Sequence, residues 1–76
     1  MNKITVEFKS GRELLNTIII KEDEINTLVL GCFPVINEQA TTTAMLTRHQ
    51  LADGEKVRVN MKRPNNSITH LLFKAE

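Results

Sequence analysis

Cys32, His49 and His70 are the side chains of this sequence best suited to nucleophilic or metal chemistry. A neighbouring imidazole could draw the proton from the Cys32 thiol and leave a nucleophile, provided that folding brings together residues far apart in the chain. The usual companions of such chemistry do not occur, however: there is no Gly-rich phosphate loop, no His-Glu-x-x-His and no Cys-x-x-Cys. Cys32 instead ends an apolar stripe at helical spacing, where a thiol serves as a small core residue. His70 lies between Thr69 and Leu71 in a strand-like segment with no second ligand at i+2 or i+4, the spacing that would favour a metal. Glu22-Asp23-Glu24 could attract a cation, but a solvated acidic turn capping a helix explains it as well. The expectation is a protein without catalytic residues, metal or cofactor.

A row of cations is the better functional candidate. After the turn signal Asp53-Gly54, Val57, Val59 and Met61 alternate with Lys56, Arg58, Asn60 and Lys62, the period-2 pattern of a strand with one buried face. Along such a strand Lys56, Arg58 and Lys62 stand roughly 7 or 13 Å apart, within reach of one acidic partner. Another protein with an acidic surface is the expected partner. Nucleic acid comes second, because base stacking needs exposed aromatics and Phe8, Phe33 and Phe73, the three rings present, fall at apolar positions.

Composition narrows the class further. A chain of 76 residues suits a single domain, residues 1–76, with a modest core and no cleft between two lobes. The net charge of +1 gives no bulk polycation, although residues 1–46 hold four basic and six acidic side chains and residues 47–76 hold six and three. With one cysteine no internal disulfide can form, which points to a reducing, cytoplasmic setting. Neither a signal-peptide h-region nor an 18-residue apolar run is present, so no membrane association is expected.

Residues 3–9 read as a half-buried strand through Ile4, Val6 and Phe8. Ser10-Gly11 offers a turn, and a bulged loop pairing Phe8 with Leu14 and Ile4 with Ile18 keeps Glu13 off the core. That hairpin turns Leu15 and Ile19 outward as an apolar patch, a second candidate binding surface. Ser10-Gly11-Arg12-Glu13 could alternatively open a helix as a capping box, against the β-branched run Thr17–Ile20. Asp23 can cap a short helix with Ile25, Leu28, Val29 and Cys32 on one stripe and Pro34 as its stop, although Leu28–Leu30 also suits a buried strand. Residues 34–38 and, more weakly, 41–46 read as strands, with one helical turn at 47–50. Pro64-Asn65-Asn66-Ser67 is a turn signal, and residues 68–74 make a last strand able to pair with 56–62.

This order of elements resembles the β-grasp, or ubiquitin-like, fold, and two local motifs carry the likeness. Val35-Ile36-Asn37-Glu38-Gln39 followed by Leu51-Ala52-Asp53-Gly54-Glu55-Lys56-Val57-Arg58-Val59 is similar to the second half of the sulfur-carrier proteins of thiamine and molybdopterin synthesis. Gln50–Gly54 with Ser67–Lys74 is similar to the second half of ubiquitin. The resemblance implies an α+β domain in which a mixed sheet packs on one short helix. Carriers of that family act through a terminal Gly-Gly, whereas this sequence ends Phe73-Lys74-Ala75-Glu76, so carrier activity would require processing. Ile4–Leu14 with Asp23–Asn26 also resembles the start of Sm-like RNA-binding barrels, without the later Arg-Gly loop. The expected function is a small non-catalytic protein-binding module or regulator. A small nucleic-acid-binding β-barrel and a processed sulfur carrier are the alternatives.

Overall fold

A computed structural model describes residues 3–65 and 67–76, and the side chains of 3–62 and 67–76. Strands β1 (Ile4–Ser10) and β2 (Glu13–Ile20) form a hairpin, helices α1 (Ile25–Leu30) and α2 (Glu38–Ala52) follow, and β3 (Val57–Asn65) and β4 (Ile68–Ala75) form a second hairpin. The sheet order is β2-β1-β4-β3, and every pairing is antiparallel. The result is α+β: one four-stranded sheet with two helices.

This differs from the expected mixed sheet on one helix, and the register explains why. Ile20, at the end of β2, lies beside Ile4; Val57, at the start of β3, lies beside Phe73 and so in line with Val6. The connection therefore leaves and re-enters at the same end of the sheet. One helix would deliver the chain to the opposite end and give parallel strands. Two helices go out and return, which reverses the second hairpin and makes β1–β4 antiparallel.

The second helix replaces the strand expected at 41–46, whereas the strand expected at 34–38 is an irregular connection whose last residue, Glu38, opens the helix. Asn37 caps it, its Oδ1 accepting the Ala40 N–H at 3.0 Å, and Glu38 adds an acidic side chain to the first turn. Thr41, Thr43 and Thr47 donate their hydroxyls to the carbonyls four residues back at 3.1, 2.9 and 2.8 Å, so residues that favour strands are accommodated without orphaned polar groups. The buried stripe is Ala40, Ala44, Thr47 and Leu51. At its end Glu55 N–H bonds Gln50 O and Gly54 N–H bonds Leu51 O, both at 3.0 Å, with Gly54 at φ +85°. That is a Schellman cap, and the left-handed conformation explains the glycine. The Asp53-Gly54 turn is thus a helix terminus that feeds β3.

The apolar residues of the expected α1 stripe are buried, Ile25, Val29 and Cys32 with Leu28 packed against them, but the helix is shorter than expected: Asp23 lies in a 3-10 turn at Glu22–Glu24 and does not cap it, and α1 ends at Leu30 before Gly31, so Cys32 sits in the turn that follows rather than on the helix. They meet Ile4, Val6, Val57, Val59, Leu71 and Phe73 from the sheet, with Ala40, Ala44 and Leu51 from α2.

The first hairpin is a correction in register. Its loop is the two residues Gly11-Arg12, with Gly11 at φ +57° and Ser10 opposite Glu13, and the irregularity comes later, where Leu15 is the extra residue of a bulge. Ile4 then faces Ile20 and Val6 faces Ile18, rather than Ile4 facing Ile18. The bulge brings two isoleucines alongside the core face where the expected register would have set Asn16 beside Val6. Leu14, expected inward against Phe8, is opposite Lys9 and 51% exposed. In the second hairpin Pro64 and Asn65 belong to β3, in a stretch where the register with β4 shifts between Asn60 and Asn65, a setting that tolerates proline. Asn66, part of the expected turn, lies outside the described residues.

Candidate partner-binding faces

Helices cover one face of the sheet, and the side chains of the other face are set by the ladders. Directly opposed residues share a face, so Lys9, His70 and Asn60 form one cross-strand row and Thr17, Glu7, Leu72 and Arg58 the next. Val57 and Val59 are buried while Lys56, Arg58, Asn60 and Lys62 are exposed, the alternation expected from the sequence. Arg58 is held by its neighbour, its Nε donating to Asn60 Oδ1 at 3.0 Å.

The three cations do not form one regular row. Lys56 precedes β3, and Lys62 lies within the stretch between Asn60 and Asn65 where the register shifts, its backbone N–H turned away to donate to Cys32 O at 2.7 Å. What the fold adds is Lys9 on β1, which joins Arg58 around His70. His70 is only 5% exposed, and its pKa is pushed below the usual 6.5 by burial first and then by the Arg58 and Lys9 charges. Its Nδ1 lies 2.9 Å from Thr69 Oγ1, which accepts the Gly11 N–H at 3.0 Å and is 3.2 Å from Lys9 O. The hydroxyl has one proton to give, so either it bonds Lys9 O and Nδ1 carries a hydrogen, or it bonds a bare Nδ1. Lys74 is balanced by Glu7 at 3.4 Å. No sequence signal joined Lys9 and His70 to this face, because that required knowing that β1 pairs with β4.

Leu15 and Ile19 lie on the edge strand β2, 43% and 61% exposed. Ile19 is opposite Thr5, on the sheet face away from the helices, and Leu14 extends the apolar strip.

The remaining chemistry is dispersed. Cys32 is buried, its Sγ donating to Leu28 O at 3.5 Å, and burial pushes its pKa to about 11. His49 instead lines an open cleft of about 530 Å³ between α1 and α2 with Asn26, Thr41, Met45 and Arg48, where Arg48 pairs with Glu22 at 3.7 Å. Among the described residues no three His, Cys, Asp or Glu side chains converge as for a metal ion, and no helix is long and apolar enough to cross a membrane. Comparison with protein-family models, with curated proteins and with solved structures gives no match to this chain.

Proposed function

We propose that this protein is a small non-catalytic binding module whose cationic sheet face, built on Arg58 with Lys56, Lys62 and Lys9, docks against an acidic surface of another protein. The observation that carries the reading is the convergence of Arg58 and Lys9, from strands on either side of β4, around a nearly buried imidazole. Cations grouped on a firm sheet raise the local potential and steer an acidic partner. A nucleic-acid reader would want exposed rings, whereas Phe33 and Phe73 are buried and Phe8 packs against the core. A β-grasp kinship belongs to the same proposal and rests on the Val35–Gln39 and Leu51–Val59 motifs; the antiparallel β1–β4 ladder departs from that fold's mixed sheet.

Reversing Lys56, Arg58 and Lys62 to Glu tests the reading. The side chains are exposed, so the thermal melt should stay near wild type. A partner captured by the wild-type protein, then purified and titrated, should bind the triple variant at least about tenfold more weakly and the wild type less tightly as salt rises. A folded variant that binds the partner with unchanged affinity and salt dependence would remove the basic face from the function.

A further inference from the structure

We propose, resting on the cationic-face reading above, that Lys9, Arg58 and the Nε2 nitrogen of His70 form a seat for a phosphate monoester, which the acidic partner presents on a phosphorylated side chain. The outer face of the sheet has two unlike ends. At one, acids and cations cancel: Glu76 meets Lys3 at 3.5 Å and Glu7 meets Lys74 at 3.4 Å. At the other, Lys9, His70 and Asn60 share a row with Arg58 beside it, and no acid stands in that row. Neither Lys9 nor Arg58 has an ion-pair partner among the described residues.

The imidazole supplies a second, independent observation. His70 is 5% exposed, and its Nδ1 is engaged with Thr69 Oγ1 at 2.9 Å, whereas Nε2 has no hydrogen-bond partner among the described residues. No buried side-chain nitrogen or oxygen among those residues lacks a partner, so Nε2 reaches the surface. It does so on β4, the strand between those of the two cations. With strands about 4.8 Å apart and alternate residues about 7 Å apart along a strand, the α-carbons of Lys9 and Arg58 are about 12 Å from each other. Side chains of that length can bring both charges to one point above the ring.

Charge and geometry select a phosphate monoester over a carboxylate. At pH 7 it carries about −1.5 to −2 charges, a match for two fixed cations, and its three terminal oxygens can each take a different donor. Arg58 gives one N–H to Asn60 Oδ1, which leaves its two terminal nitrogens as a fork for an oxyanion. That fork alone would fill the two oxygens of a carboxylate and leave Lys9 and Nε2 unused. Thr69 suits the arrangement: while its hydroxyl donates to Lys9 O, 3.2 Å away, Oγ1 can accept Nδ1–H from a protonated ring whose Nε2–H then faces the anion. The charged groups facing the ring are Lys9 from β1 and Arg58 from β3, with the Glu7–Lys74 pair further along the face and Lys62 in the shifted stretch of β3. Cations dominate around it, so a bound anion favours the protonated ring and, reciprocally, protonation tightens anion binding.

An NMR titration of the whole chain at constant ionic strength is the test. A capped Gly-phosphoserine-Gly peptide should shift the His70 ring signals saturably at pH 7, with a Kd of about 1–10 mM, and should move the His70 titration midpoint to higher pH. The same peptide with serine or glutamate in place of phosphoserine should bind at least about tenfold more weakly. Lys9→Gln and Arg58→Gln should each weaken binding about fivefold or more, while Lys21→Gln, the same loss of charge away from this face, should stay within about twofold. Equal binding of the glutamate peptide, an unmoved His70 midpoint, or a Lys21→Gln loss as large as that of Arg58→Gln would overturn the proposal. So would inorganic phosphate binding where the phosphopeptide does not, since the seat would then admit a free ion but not a modified side chain. If the Lys56, Arg58 and Lys62 reversal abolishes partner binding and the phosphopeptide still fails to bind the wild type, the phosphate is removed and the acidic partner stands; failure of both tests removes the face altogether.

Discussion

Replacing Gly54 by alanine tests the element that most changes the picture of this chain, the 15-residue helix α2. Gly54 holds φ +85° at the residue after the C-cap, where an L side chain is strained by about 1–2 kcal/mol. A Cβ there would meet nothing within 4 Å, so no clash adds to that strain. Alanine also restricts the unfolded chain, which offsets about 0.4–1 kcal/mol. The net loss is about 1 kcal/mol, or about 4–8 °C in melting temperature for a domain of this size. Asparagine tolerates the left-handed region better, so Gly54→Asn should lose about half as much or less. Because the chain has no Trp or Tyr, the melt is best followed by far-UV circular dichroism. Equal melting temperatures for the wild type, Gly54→Ala and Gly54→Asn would refute a left-handed cap here and reopen the strand reading of residues 41–46.

Two further outcomes follow from titrating groups. With its pKa near 11 and its sulfur buried, Cys32 should alkylate at pH 8 at least about 100-fold more slowly in the native state than in denaturant, and equal rates would mean the thiol is exposed. His70 binds its proton more weakly folded than unfolded, so its contribution to stability is intact above pH 6.5 and declines as pH falls through that value. The fall in urea midpoint between pH 7.5 and 5 should therefore be smaller in His70→Gln than in wild type, and identical slopes would disprove the linkage.

The elements that the sequence makes legible are those with strong periodicity. Ile4, Val6 and Phe8 mark β1, Val57 and Val59 mark β3, and Ile25, Leu28 and Val29 mark α1, because large apolar side chains at the right spacing leave few other solutions. α2 was hidden for the opposite reason. Its buried stripe is two alanines, a threonine and one leucine, and Thr41-Thr42-Thr43 favours strands unless hydroxyls find carbonyls within the helix, as those of Thr41 and Thr43 do. Once α2 is missed, the direction of the second hairpin goes wrong too, since one helix and two deliver the chain to opposite ends of the sheet. At the cationic face, the exposure of Lys56, Arg58 and Lys62 followed from alternation within one strand. The inclusion of Lys9 and His70 depended on strand order, a non-local property that alternation does not encode.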